Sequence, residues 1–218
     1  MWEEFAQTVL LIVAGLLPII NPPAAALMAL GIVPHASDLE RRELARRIAL
    51  NSLVILLASL SVGAYVLNFF GISIPVLRVA GGIVIATAGW TLLQSPAEEP
   101  LSEAPLPVPR SMASLRLKAF YPLTLPVTVG PGAIAVAIAL GTGLPRSGLS
   151  VGHVAGVVVA MLLIVVSIYV CMRYAGHLER LLGSTGTQVA MRLFAFVIFC
   201  IGVQIFWLGL SDLIRSLR

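Results

Sequence analysis

Six apolar runs, each close to the length of a membrane-crossing helix, fill most of this 218-residue chain and leave little between them. They read as Phe5–Ile32, Ile48–Phe70, Ile74–Leu93, Ala119–Thr142, Val151–Met172 and Val189–Leu213. Crossing roughly 30 Å of hydrocarbon takes about 20 apolar residues in a helix. Within lipid each peptide group needs a partner inside the protein, and a helix supplies one. With hydrophobic residues at 59% and charged residues at 11%, the chain has too little polar surface for a water-soluble fold of this size. The expected fold class is all-α, a polytopic membrane protein of six transmembrane helices with the lipid bilayer as its solvent. No stretch between runs is long enough for a soluble catalytic domain.

The links set the organisation. Gly71-Ile72-Ser73 is so short that the second and third helices must be antiparallel neighbours. Pro34 to Arg47 reads as a charged loop. Ser95 to Pro109 holds five prolines and three glutamates, an extended, solvated stretch that cannot pack as a helix. The chain therefore divides into a first three-helix repeat at 1–94, a cytoplasmic proline-rich linker at 95–117 and a second three-helix repeat at 118–218. Three spans per half is an odd number, so the second repeat inserts inverted relative to the first.

A net charge of +4 suggests nucleic acid at first sight, but the arginines lie between apolar runs and read as topology signals. One side collects Arg41, Arg42, Arg46, Arg47, Arg110, Arg116, Lys118, Arg173 and Arg180; the other has Arg146, Arg215 and Arg218. The positive-inside rule places the first group in the cytoplasm and both termini outside it, in a multi-pass protein of the inner (plasma) membrane. Glu3 and Glu4 ahead of the first run carry the wrong charge for a cleaved signal peptide, so that run is expected to be retained. Cys171 and Cys200 lie in apolar segments and read as reduced, small hydrophobes.

The first run contains Pro18-Ile-Ile-Asn21-Pro22-Pro23, and the fourth contains Pro122-Leu-Thr124-Leu-Pro126-Val-Thr128-Val-Gly130-Pro131-Gly132. Proline lacks an amide hydrogen and clashes with the preceding turn, so each cluster breaks its helix. Irregular backbone survives in a membrane only inside protein or beside a wet cavity. A new half-helix begins near Pro23 and near Pro131, and its first amides and dipole favour an anion. Gly130 and Gly132 let a ligand approach the backbone, while Asn21, Thr124 and Thr128 offer side-chain hydrogen bonds. Broken first and fourth helices at matching positions of two inverted repeats point to a substrate site near the midplane. The rival reading is a pair of kinks that shape packing.

Arg78 and Arg192 each fall in the first turns of an apolar run. They read as a gate or counter-charge for a carboxylate, or as arginines snorkelling to the headgroups. His153 has no partner at metal spacing and reads as interfacial. Gly152 and Gly156 are a small-xxx-small packing pair, and Trp90 and Trp207 read as interface anchors. Gly-x-Ser-x-Gly, His-Glu-x-x-His and an intramembrane aspartate pair are all missing, so neither an enzyme nor a cofactor or metal site is expected.

Nearly the whole chain resembles the MarC family, also known as a neutral amino-acid transporter family. The resemblance rests on Asn21-Pro22, on Glu40-Arg-Arg-Glu-Leu-Ala-Arg-Arg47, on Gly71-Ile72-Ser73 leading to Arg78-Val-Ala-Gly81-Gly82, and on Pro122-Leu-Thr-Leu-Pro126 through Gly130-Pro131-Gly132-Ala-Ile134. It implies six membrane helices and, for some members, transport of small neutral amino acids such as glycine and alanine. Ala24 and Leu27 stand where the family usually has glycine and proline, and the methyl of residue 24 is expected to narrow the cavity. The expected function is a secondary transporter or exchanger of small neutral solutes, with a small amino acid as partner and Asn21, Pro22, Pro23, Thr124, Thr128, Gly130, Pro131 and Gly132 at the site. The alternatives are efflux of another small compound and a non-transporting membrane scaffold.

Overall fold

The computed structural model describes residues 2–33, 36–94, 112–142 and 150–216. Its elements, in order, are α1 (Trp2–Ile20), α2 (Pro22–Ile32), α3 (Asp38–Phe69), α4 (Ile74–Gln94), α5 (Met112–Lys118), an irregular segment (Ala119–Thr128), α6 (Pro131–Thr142), α7 (Val151–Arg173) and α8 (Ala175–Ser216). Five helices are long and apolar enough to cross a membrane, and the bent pair Leu115–Thr128 and Pro131–Thr142 makes a sixth if it is one span. The chain is an all-helical membrane protein. Of the 95–117 linker, positions 95–111 lie outside the described residues, as do Arg110, Arg146 and Arg218 of the charge count, while 112–117 belong to α5.

The charged stretch read as a loop is largely helix. Ser37 caps α3 through a reciprocal box: its hydroxyl accepts from the Glu40 amide, and Glu40 Oε2 accepts from the Ser37 amide at 2.7 Å. Asp38 and Glu40 then sit in the first turn, where the helix dipole favours negative charge. Helix formation therefore starts at Asp38, about two and a half turns before the apolar run. At the other end Gly71 takes φ 68°, a left-handed position that suits glycine, and the Ile72 amide reaches back to the Leu67 carbonyl. That closure turns the chain directly into α4. A second positive-φ glycine, Gly183, breaks α8, and the span itself is Thr185–Ser216.

The core gathers α1, α2, α3, the irregular segment, α6 and α7 around Leu16, Ile48, Leu56, Leu123, Ile164 and Ile168, all nearly inaccessible. α1 and α7 run parallel, since Glu4 meets Ser150 and Thr8 meets His153. Gly156 packs on Thr8 and the Phe5 carbonyl, the close approach that a small residue permits. His153, in the first turn of α7, is buried against α1, with Nδ1 2.9 Å from Thr8 Oγ1. α4 and α8 pair antiparallel along a seam of glycines. Gly82 faces the Phe206 backbone, Gly89 that of Phe199, Gly202 that of Ala86, and Gly209 that of Pro75 and Val79. Without a hydrophobic effect between helices in lipid, such backbone contact is what holds two spans together.

Candidate functional site

The two proline clusters build different interruptions. In the first, Asn21 sits alone between α1 and α2 at φ 44°, ψ 66°. Its amide still donates to the Leu17 carbonyl and its carbonyl still accepts from Ala25, so the two helices form one candidate span of 31 residues. Pro22 and Pro23 have no N–H, and the Ala24 amide donates to Asn21 Oδ1 at 3.4 Å. The α2 N-terminus therefore presents no free amide. Anion binding by peptide N–H groups, expected at both half-helices, has no donor there.

The second interruption is wider. Tyr-Pro-Leu-Thr and Leu-Pro-Val-Thr follow one another, and Tyr121 and Leu125, each before a proline, are extended inside the segment. The Tyr121–Pro122 and Leu125–Pro126 peptide bonds are cis. Threonine hydroxyls patch the broken ladder: Thr124 Oγ1 donates to the Ala119 carbonyl at 2.6 Å and Thr128 Oγ1 to the Leu123 carbonyl at 2.7 Å. Each such hydrogen bond contributes about 0.5–1.5 kcal/mol. The chain then bends by 67° into α6. Pro131 opens that helix without an N–H, and Ile134 donates to Gly130. The intervening amides of Gly132 and Ala133 have no partner among the described residues.

The interruptions share one cavity of about 540 Å³. Asn21, Thr128, Gly130, Pro131 and Gly132 line it, joined by α4 residues from Val84 to Leu92 and by Ile198 of α8. Pro23 and Pro131 cannot donate to the carbonyls four residues back, Ile19 and Val127, and both of those residues are in the wall. The residues of the wall thus include two whose amides lack a helical acceptor, Gly132 and Ala133, and two whose carbonyls lack a helical donor, Ile19 and Val127. Gly132 is needed for packing as well, since a β-carbon there would overlap Ile85. Ala24, at the position of the departure from the family pattern, also lies in the wall.

Pro22, Pro23 and Thr124 do not line the cavity. Thr124 is wholly buried, its oxygen also 3.4 Å from Asn51 Nδ2. Arg192 is exposed and makes no ion pair among the described residues. Arg78 is different: its NH1 lies 2.7 Å from Asp212 Oδ2, so it is not a lone snorkelling charge. Reading the sequence found no carboxylate in the apolar runs and so overlooked Asp212, which lies inside the last of them, Val189–Leu213. Its place follows from Gly209, which seats α8 against α4 beside Arg78. Thr87 and Thr91 were missed too; they line the cavity with hydroxyls that donate to their own helix's carbonyls.

A family model described as MarC family integral membrane protein matches residues 6–214. The chain belongs to the MarC family. It is 31% identical over 210 residues to the inner membrane protein MarC of Salmonella paratyphi A, covering 92% of this chain and 93% of that one. The MarC protein of Salmonella typhimurium matches at the same identity and coverage. That of Escherichia coli O1:K1 is 30% identical over 206 residues, again 92% and 93%. No solved structure matches. These MarC relatives are named inner membrane proteins, in keeping with the apolar spans of this chain.

Proposed function

We propose that the chain is a secondary transporter or exchanger of small neutral amino acids, with its substrate held between the two interruptions. The observation that carries this reading is the shared cavity at Asn21, Thr128, Gly130 and Gly132, whose lining includes residues with amides or carbonyls left out of the helical ladder. A zwitterion needs both. Its carboxylate takes the Gly132 and Ala133 amides at the positive end of α6, and its ammonium takes the Ile19 and Val127 carbonyls and the lone pairs of Thr128 Oγ1. The remaining wall is chiefly apolar, which suits a short neutral side chain. Its volume lies within the range of about 300–1,000 Å³ usual for small-molecule sites.

The antiparallel α4–α8 pair and the two broken segments support the reading of two inverted three-helix halves. Arg41 lies beside Gly176, and Arg173 lies 3.9 Å from Asp38, so the cationic ends of α3, α7 and α8 gather together. This supports a cytoplasmic placement of that end with both termini outside. No chemistry beyond binding is proposed: the chain acts as a carrier, not an enzyme. The test is counterflow of labelled glycine or alanine in proteoliposomes. Accumulation against trapped unlabelled substrate is expected, and its absence for every small amino acid defeats the proposal.

A further inference from the structure

A second cavity, of about 530 Å³, continues the first along the same four helices. α4 lines the first cavity from Val84 onward and the second with Arg78 and Gly81; α6 lines the first up to Ala133 and the second from Ala135. Ile19 belongs to both walls. The partition consists of Ile19, Ile85 packed on Gly132, and Gly81 packed on Ala135. Gly81 and Ile85 are four residues apart, so the partition is about 6 Å thick. The two spaces lie in series, the first toward the cation-rich end of the bundle and the second toward the other.

Arg78 is the one charged side chain among the described residues lining the second cavity, whose other walls are apolar. A guanidinium has five donors. One nitrogen is engaged by Asp212, and the pair is loosely held, with the two side chains 38% and 36% exposed. Exposed pairs of this kind are weak and open readily. Gly209 lets α8 touch the α4 backbone at Pro75 and Val79, which keeps Asp212 within reach of Arg78 whether or not the pair is closed.

Resting on the transport reading above, we propose that this second cavity is the opposite vestibule of the same path, with Arg78 as its carboxylate-binding group and Asp212 as a resident counter-ion. An α-amino acid entering there takes Arg78 through its carboxylate in place of Asp212, and its ammonium takes the released Asp212. Each charge exchanges one partner for another, so loading and unloading cost little net electrostatic energy. The apolar wall admits a short neutral side chain and penalises a charged one.

The test is alanine exchange in proteoliposomes, with half-saturation and maximal rate measured for the wild type, Arg78→Gln, Asp212→Asn and the double variant. Arg78→Gln is expected to raise half-saturation roughly tenfold or more, since a charge-assisted bidentate contact is lost. Asp212→Asn removes both the competitor for Arg78 and the partner of the substrate's ammonium, two opposed effects, so half-saturation is expected to change far less than in Arg78→Gln. The double variant should behave like Arg78→Gln. If the pair only braces α4 against α8, Asp212→Asn will be as damaged as Arg78→Gln and the neutral double variant will recover wild-type exchange; that pattern overturns the proposal. Unchanged exchange in Arg78→Gln overturns it too, leaving the transport reading intact, whereas a wild type that exchanges no amino acid sinks both.

Discussion

The contact between Gly132 and Ile85 can be tested by adding one methyl and then removing its obstacle. In Gly132→Ala the new carbon overlaps Cγ1 and Cδ1 of Ile85, which is 4% exposed and forms part of the partition between the cavities. Ile85 can respond only by rotating into cavity space or by pushing α4 from α6. Overpacking of this kind costs about 1–3 kcal/mol. Ile85→Ala deletes the obstructing atoms and, as a large-to-small change, costs about 2–5 kcal/mol by itself. The two effects share one space, so they should not add. Thermal unfolding in detergent micelles should show the double variant about as stable as Ile85→Ala alone, so that Gly132→Ala costs little once the obstacle is gone, with a coupling energy of about 1–3 kcal/mol. Exchange in proteoliposomes should follow: impaired in Gly132→Ala, and recovered or leaky in the double variant. Additive losses, within about 0.5 kcal/mol, would mean that Gly132 is required for some reason other than the approach of Ile85.

Asn21→Ala removes a cap and places a β-carbon residue without a compensating hydrogen bond in left-handed backbone, so melting should report a loss of about 1–3 kcal/mol, with Asn21→Gly much milder. Thr124→Val and Thr128→Val each remove a hydroxyl–carbonyl hydrogen bond, at about 0.5–1.5 kcal/mol, but only Thr128 lines the cavity, so substrate affinity should fall in Thr128→Val alone. Pro23→Ala restores a donor for the Ile19 carbonyl and should stabilise the first span while weakening exchange. A reporter fused after Arg218 should be active outside the cytoplasm; a cytoplasmic signal would contradict the charge count.

The spans were legible because each is a run of apolar residues long enough to cross lipid, and the interruptions because proline cannot take part in a helical ladder. The start of α3 was also written in the sequence, as Ser37 with Glu40 three residues on, but the dense arginines around it read as a loop. The packing of His153 was not legible because its partner, Thr8, is 145 residues away. Arg78 and Arg192 occupy matching places in their runs, yet among the described residues only Arg78 has a carboxylate opposite it. That difference arises from the crossing of α4 and α8 at Gly209, which no local pattern encodes. Thr124 and Thr128 read alike for the same reason. Both hydroxyls repair the irregular segment, and only the 67° bend that follows decides which faces the cavity.

The inequality of the two interruptions bears directly on how a zwitterion would lie. Paired prolines at 22 and 23 strip the α2 N-terminus of donors, and Asn21 takes up the next amide, so that end offers acceptors alone. A single proline at 131 leaves two amides free at the start of α6. Two equal half-helices would hold a substrate in either of two orientations related by the inverted halves. With amide donors at the α6 break alone, the carboxylate of a bound zwitterion would lie toward α6 and its ammonium toward the Ile19 and Val127 carbonyls. A fixed orientation points the side chain in a fixed direction, and size selection then falls on whichever wall it meets. Ala24 lies in that shared wall where the family usually has glycine, so its methyl is placed to restrict the substrate without touching either charged group.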